Sequence, residues 1–322
     1  MGLAACLLAY SVVVAVLGPP LLHRASRSGA APRLGIAAWV AALMSVVLAW
    51  VLAAILIGAE LLHGWGQADR LLADCFSTLP ALAGGSYGGV LQASVLLLAV
   101  LTVLSLGSLA CRVLRSLRRT QRHTRAHAAA AQLAGRGAPR GPGGALILDA
   151  ATRGVYCLAG RPHTIVITSS AMSALDDDQL AAVLAHEHAH LAGRHHHLLA
   201  VTAAFAKILP ALTLFTGAAS EVARLAEMCA DDVAARRHGG DTVVGALLAL
   251  TLGPAAPARP PALALSAAAV GVADRVERLL FPPDVTRARL LQGLTLGLAV
   301  VGPVLAAVVI SSQLPWCIAA LT

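Results

Sequence analysis

Four long segments of this chain contain no Asp, Glu, Lys or Arg, and they limit its fold more than any other feature. The segments are residues 2 to 22, 34 to 58, 89 to 111 and 290 to 312. Each reaches the roughly 20 residues that an α-helix needs to cross the hydrocarbon core of a bilayer. The chain is only 12% charged, whereas a soluble domain is about 25% charged. We therefore predict a mainly α, multi-pass membrane protein.

The arginines predict how these spans are oriented, because short loops rich in Arg and Lys stay on the cytoplasmic side of a membrane. Arginine clusters without any acid follow the first and third segments, at Arg24, Arg27 and Arg33 and at Arg112, Arg115, Arg118, Arg119, Arg122 and Arg125. Acidic residues predominate between the second and third segments. We expect a protein of the cell membrane with both termini outside, three crossings, a cytoplasmic domain and one return crossing.

These expectations divide the chain into four parts. Residues 1–127 would hold three transmembrane helices, 146–289 a cytoplasmic domain, and 290–322 a fourth transmembrane helix with a short outer tail. Between the first two parts, residues 128–145 are rich in Ala, Gly and Pro. Such a composition is typical of a flexible linker.

Charge and cysteine content exclude some classes of function. The net charge of +8 comes from arginines beside apolar segments, and aromatic residues make up only 3% of the chain. Because a nucleic-acid surface usually interleaves basic and aromatic residues, we expect no direct nucleic-acid binding. No C-x-x-C pair occurs, so a cysteine zinc or redox site is not indicated. Cys75 and Cys317 would both lie outside, where a disulfide can persist, and the sequence leaves their pairing open.

The predicted cytoplasmic domain contains a metal-binding pattern. His186-Glu187-His188-Ala189-His190 has the form H-E-x-x-H, and histidines four residues apart share one face of a helix. His186 and His190 can then bind one zinc ion, while Glu187 takes a proton from the attacking water. His188 points to roughly the opposite face and is not expected to bind. Asp176 and Gln179 predict a capping box at the start of this helix.

A catalytic zinc needs a third protein ligand and an open position for water. A second predicted helix, with a cap at Ser220 and a stop at Gly239-Gly240, supplies Glu227 and Asp231 four residues apart. We expect Glu227 to be the third ligand and Asp231 to accept a hydrogen bond from a ligating imidazole. The sequence thus predicts one Zn²⁺ per chain.

The apolar run of residues 198–219 is long enough for a fifth crossing, but a crossing there would place the third ligand and the two histidines on opposite sides of the membrane. Lys207, near the centre of the run, would cost about 2.5 to 3.5 kcal/mol in the bilayer. Pro210 would break a continuous helix. We therefore expect a helical hairpin that turns near Pro210.

Four segments of the chain resemble the BlaR/MecR family of membrane metallopeptidases. They are LILDAATRGVYCLAG, TIVITSSAMSALDDDQLAAVLAHEHAHL, EMCADD and DRVERLLFPP. The resemblance implies a gluzincin, with a zincin-like α+β peptidase domain. Carried over by position, its metal ligands are His186, His190 and Glu227, its base is Glu187 and its outer-sphere acid is Asp231. The edge strand that holds substrate by backbone pairing in such enzymes falls on Val155, Tyr156, Cys157 and Leu158.

The resemblance also implies a function. We expect a membrane-embedded zinc endopeptidase in regulatory signalling, which cleaves a cytoplasmic or juxtamembrane protein such as a winged-helix transcriptional repressor, or cleaves itself. The family's β-lactam sensors carry an extracellular penicillin-binding domain after the last span, whereas ten residues follow residue 312 here, so we expect no direct β-lactam sensing.

An HtpX-like quality-control protease and a non-catalytic membrane metal-binding or scaffold protein are the alternatives. The oligomeric state and the oxyanion-stabilising residue stay open, with His238 and Arg275 as candidates for the latter.

Overall fold

A computed structural model of the chain describes residues 2–63, 88–134, 140–158, 163–251 and 271–284, with several residues between 286 and 301. Its helices are α1 (Gly2–Ser26), α2 (Pro32–His63), α3 (Gly88–Ala134), α4 (Ser169–Ala174), α5 (Asp177–Ala192), α6 (His195–Ile208), α7 (Thr213–His238), α8 (Gly240–Thr251) and α9 (Val272–Leu280). Its strands are β1 (Leu146–Leu148), β2 (Val155–Leu158) and β3 (Thr164–Thr168). The prediction of a mainly α fold is confirmed.

Three helices are long and apolar enough to cross a membrane by length and composition. The qualifying stretches are Leu3–Ser26, Pro32–Ala59 and Val100–Leu133. Many large apolar side chains on them are exposed, as is typical of a surface that contacts a membrane or another protein. On α1 they are Leu8, Val12, Val13, Val16, Leu17 and Leu21. The fourth predicted span lies largely outside the described residues, as do Cys75 and Cys317.

Helix α3 is longer than we predicted. It runs from Gly88 to Ala134, so residues 128–134, which we assigned to a flexible linker, continue the helix. Ala128 and Ala131 are buried against the sheet. This tertiary packing, together with the high helix propensity of alanine, outweighs the low complexity of the segment. The linker prediction is wrong for these residues.

The strands form one small sheet in the order β1-β3-β2. Strand β3 is buried along its whole length and pairs in parallel with β1 and antiparallel with β2. Tyr156 of β2 lies opposite Val166 of β3. Within the described sheet β2 is therefore an edge strand, and its bounds are those that the resemblance implied.

Helix α7 lies at the centre of the fold. Its apolar residues Leu214, Phe215, Val222 and Leu225 are fully buried, in a cluster that includes Leu22 of α1, Trp39, Leu43 and Val46 of α2, and Phe205 of α6. The same helix also contacts α5 and α8. It thus joins the first two apolar helices to the domain that holds the metal-binding pattern.

The ends of α7 correct one prediction and confirm another. The helix begins at Thr213, so Ser220 lies inside it and donates to the carbonyl of Gly217 at 3.0 Å. The Ser220 cap is wrong, because burial of the apolar residues before it extends the helix toward its N-terminus. The helix ends at His238, and Gly239 follows with a φ of 88°, as predicted. Since α6 ends at Ile208, the predicted hairpin near Pro210 is also confirmed.

Candidate metal centre

The helix that carries the H-E-x-x-H pattern begins as its sequence predicts. The Asp176 carboxylate accepts from the Gln179 amide at 2.8 Å, and the Asp176 amide donates to the Gln179 side chain at 3.3 Å. Leu180, Val183 and Leu184 are buried in the core against the sheet. With that face fixed, His186 and His190 point toward α7.

Three side chains from α5 and α7 converge on one point. The Nε2 atoms of His186 and His190 are 3.0 Å apart. Each also lies close to the Glu227 carboxylate, at 3.5 Å for His186 and 3.4 Å for His190. Ligand atoms at 2.0–2.1 Å from one zinc ion, in tetrahedral arrangement, are separated by about 3.3 Å. The spacing and the donor set of two imidazoles and one carboxylate therefore fit a catalytic zinc. Among the described residues no other group of His, Cys, Asp and Glu converges in this way.

Asp231 supports the first histidine. Its Oδ1 atom lies 3.0 Å from Nδ1 of His186, one helical turn beyond Glu227. This contact places a hydrogen on Nδ1 of His186 and turns Nε2 toward the convergence point, as a metal ligand requires. His188, by contrast, is exposed and bonds the Leu184 carbonyl at 2.7 Å, so it faces away from this point.

Arg275 of α9 ties the acidic side chains together. Its guanidinium donates to both Asp231 oxygens at 2.7 and 2.6 Å and lies 3.1 Å from Glu227. The residue is 4% exposed, so these charges neutralise one another away from water. Since each of its terminal nitrogens has a carboxylate partner, Arg275 orients the ligand set. The sequence alone named it only as a candidate for stabilising the oxyanion.

His195 supports the second histidine, a role that was not predicted from the sequence. The Nδ1 atoms of His195 and His190 are 2.9 Å apart, and His195 is buried. Arg194, with a φ of 50°, turns the chain so that His195 folds back over α5. A Cβ atom on Gly193 would collide with Nε2 of His195, so this turn needs glycine there. The signal in the sequence that could have predicted this turn was the glycine of Gly193-Arg194-His195.

Glu187 lies beside the convergence point with its carboxyl group buried. Burial raises the pKa of Glu187 to about 7, although the charge on His186 acts in the opposite direction. Cys157 of β2 forms hydrogen bonds with this carboxyl group through its thiol and its backbone. A carboxyl group with a pKa near neutrality can both accept and return a proton. The same contact places the edge strand next to that carboxyl group.

The two histidines differ in their electrostatic setting. Burial lowers the pKa of His190 to about 3, so its ring is neutral at physiological pH. Burial acts in the same direction on His186, but hydrogen bonds to Asp231 and Glu227 outweigh it and raise the pKa to about 10. The metal-free site therefore holds a proton on His186, which a metal ion must displace.

Residues 116–258 match the family described as Peptidase family M48. The matched part of the chain contains the sheet and all of α5, α6 and α7, and so includes His186, Glu187, His190 and Glu227. No curated protein and no solved structure matches the chain. The family match supports an M48 metallopeptidase domain, and members of that family are typically zinc enzymes.

Proposed function

We propose that this protein is a multi-pass membrane zinc endopeptidase with a zincin-like α+β catalytic domain. The observation that carries the proposal is the convergence of His186, His190 and Glu227 at zinc-ligand spacing beside the buried Glu187. The match to Peptidase family M48 covers this whole set. Storage of a metal ion would need the three ligands but not a buried glutamate next to them.

The chemistry we propose is hydrolysis of a peptide bond by water. Zinc, when bound by His186, His190 and Glu227, would polarise the scissile carbonyl and make water more acidic. Glu187 would accept the proton from the attacking water and then deliver it to the leaving amine. Asp231 would hold His186, and Arg275 would neutralise the acidic side chains around it.

Strand β2 is the proposed substrate-binding element. Val155 to Leu158 form an edge of the described sheet, where an extended peptide can add as a further strand through backbone hydrogen bonds. Cys157 contacts Glu187, so a peptide paired with β2 would pass close to the proposed base. The resemblance to the BlaR/MecR family supports the same assignment.

The membrane arrangement is also a proposal. The exposed apolar surfaces of α1, α2 and α3 support crossings by these helices. The acid-free arginine clusters around the α1–α2 turn and within α3 support a cytoplasmic peptidase domain and outer termini. The chain would then consist of three spans in residues 1–127, a peptidase domain in 146–289 and a return span in 290–322.

For the biological role we favour regulatory proteolysis, supported by the four segments that resemble the BlaR/MecR family. The substrate would be a winged-helix repressor, another cytoplasmic or juxtamembrane protein, or the chain itself. The match to Peptidase family M48 is equally consistent with an HtpX-like quality-control protease. Quantitative proteomics of cells with wild-type protein or Glu187→Gln distinguishes these roles, since regulatory proteolysis predicts one or a few stabilised proteins and quality control predicts many membrane proteins.

The decisive experiment measures zinc content and proteolysis on the same detergent-purified samples. We expect His186→Ala and Glu227→Ala to lose both, and Glu187→Gln to keep zinc but lose cleavage. His188→Ala is the matched control, since its ring faces away from the site, and it should keep both. If Glu227→Ala kept its full zinc content and activity, the assignment of Glu227 as the third ligand would be wrong. Stoichiometric zinc in a wild-type protein that cleaves no peptide library would favour the metal-binding or scaffold alternative.

A further inference from the structure

Three histidines lie close together outside the candidate metal centre. His196 and His197 are in the first turn of α6, and His163 directly precedes β3. The ring centroids of His196 and His197 are 4.1 Å apart, and those of His163 and His196 are 6.3 Å apart. The fold thus brings three imidazoles from two separate segments of the chain to one part of the surface.

The distances between these rings suit a shared metal ion. Two imidazoles on one zinc ion have ring centres roughly 5 Å apart in tetrahedral arrangement and at most about 6.4 Å apart, and the rings of His186 and His190 are 4.8 Å apart. The two distances around His196 lie on either side of this value. His163 and His197 are exposed, so their rings can turn toward a common ion. Because the three rings converge less closely than the ligands of the first site, ordering them costs part of the binding free energy and makes the second site weaker.

The central histidine of this group is neutral. Burial, together with the positive charges of His197, His163, His195 and Arg194, lowers the pKa of His196 to about 4. At physiological pH one nitrogen of its ring therefore keeps a free lone pair. A metal ion binds histidine only in this form, so His196 can bind without first losing a proton.

The histidine group lies between the edge strand and the turn that supports the candidate metal centre. Thr164, which follows His163, pairs with the last residue of β2. On the other side, His195 precedes His196, and its Nδ1 atom lies 2.9 Å from Nδ1 of His190. An ion held by His163 and His196 would therefore join the β2–β3 hairpin to the start of α6.

We propose that His163, His196 and His197 form a second, weaker metal site, which takes a divalent transition-metal ion such as Zn²⁺ or Cu²⁺. Imidazole is a ligand that suits both ions, whereas Mg²⁺ and Ca²⁺ need oxygen ligands. Water would complete the coordination on this exposed surface. The site shares no residue with the proposed catalytic set, so the inference stands independently of the proposed function.

Equilibrium dialysis against buffered free zinc tests the site, on detergent-purified full-length protein without a histidine tag. We expect the wild type to bind two zinc ions, the second more weakly than the first. His163→Ala and His196→Ala should each lose the second ion and keep the first with unchanged affinity. The double variant His186→Ala/His190→Ala should lose the first ion and keep the second. His123→Ala is the matched control, since it removes an exposed histidine on α3, and it should keep both ions.

Two results of the dialysis would overturn the inference and leave the proposed function intact. One is a wild type that binds a single zinc ion at saturation. The other is an equal loss of the second ion in His123→Ala and His163→Ala, which would show that exposed histidines bind it adventitiously. Failure of the proposed function gives a different result, namely no cleavage by a wild type whose second ion is still lost in His163→Ala.

Electron paramagnetic resonance of bound Cu²⁺ identifies the ligands directly, because Cu²⁺ binds nitrogen ligands more tightly than Zn²⁺ does. The background is His186→Ala/His190→Ala, which removes both imidazoles of the first site. We expect hyperfine coupling to the nitrogens of at least two imidazoles, and coupling to fewer nitrogens when His163→Ala is added. A spectrum without nitrogen coupling, or one that His163→Ala leaves unchanged, would overturn the assignment.

Discussion

Replacement of His195 by alanine tests how the second zinc-ligating histidine is held. Nε2 of His190 faces the convergence point. When this atom binds zinc, the ring hydrogen is on Nδ1, which donates to Nδ1 of His195, 2.9 Å away. In His195→Ala this buried N–H loses its acceptor, which costs about 1–3 kcal/mol. Outer partners of ligating histidines typically contribute 10- to 100-fold to metal affinity. We therefore expect the zinc Kd to rise by that factor.

The assay is competition for zinc with a chelator of known affinity, on detergent-purified full-length protein. His196→Ala is the matched control, since it removes one histidine from the same triplet and its ring packs against His163 and His197 instead. Gly193→Ala is an independent perturbation, because the added Cβ would collide with Nε2 of His195 and displace the ring. It should weaken zinc binding in the same way.

Two results would refute this reasoning. One is a zinc Kd for His195→Ala equal to that of the wild type. The other is an equal loss of affinity in His196→Ala, which would indicate that the histidine triplet acts through local charge. Thermal unfolding of the zinc-free proteins distinguishes a loss of zinc binding from a general loss of fold, since His195→Ala should change the melting temperature much more with zinc than without it.

Three further predictions follow from the contacts around the site. Burial lowers the pKa of His186, but hydrogen bonds to Asp231 and Glu227 outweigh it and raise the pKa to about 10. Zinc must therefore displace a proton, and the zinc Kd should fall about tenfold between pH 7 and 8. Chelator competition should show this slope in a Glu187→Gln background, which removes the other group that titrates there, and adding Asp231→Asn should flatten the slope. Arg275→Met should destabilise the zinc-free protein by about 3–5 kcal/mol, since it leaves two buried carboxylates without their cation. Denaturant titration should show a much smaller effect for Arg278→Met, whose partner Asp232 is 28% exposed. Equal effects of the two substitutions would contradict this prediction. Gly29→Ala should lower the free energy of unfolding by about 1–3 kcal/mol, because Gly29 has a φ of 61° and its Cβ would meet Met228. Gly58→Ala is the control in the same unfolding assay, since a Cβ there would have nothing within 4 Å, and an equal response of the two variants would refute the prediction.

The elements that the sequence predicts well are those fixed by local signals. The capping box of Asp176 and Gln179, the glycine that ends α7 and the proline that breaks the hairpin each act within a few residues. Strand β2 was assigned by resemblance and has the predicted bounds. The C-terminal extension of α3 and the early start of α7 were not predicted, because burial against distant parts of the chain decides both.

The residues of the candidate site also divide into those that local spacing predicts and those that it does not predict. Spacings of four residues within α5 and within α7 are visible in the sequence, and they bring His186, His190, Glu227 and Asp231 together once the two helices pack. The sequence gives less indication of the side chains that support these four residues. Arg275 is 44 residues from Asp231, a separation that periodicity cannot bridge. His195 reaches His190 only through the left-handed Arg194, a conformation that non-glycine residues rarely adopt.

Helix α7 makes the metal centre depend on the first two helices, although neither contributes a ligand. Val222, Leu225 and Met228 are buried against α1, α2 and their turn. Exposure of each such side chain to water costs about 1.5–3 kcal/mol, so their loss of cover together approaches the whole stability of a typical domain. A chain that begins at residue 88 keeps every proposed ligand, yet we expect it to bind zinc poorly. Co-expression of residues 1–63 as a separate chain should restore binding, because α1 and α2 contact α7 through side chains and need no covalent link to do so. If the shortened chain alone bound zinc with wild-type affinity, the position of Glu227 would be independent of the α1–α2 hairpin, and the packing in this part of the structure would not be what holds the third ligand in place.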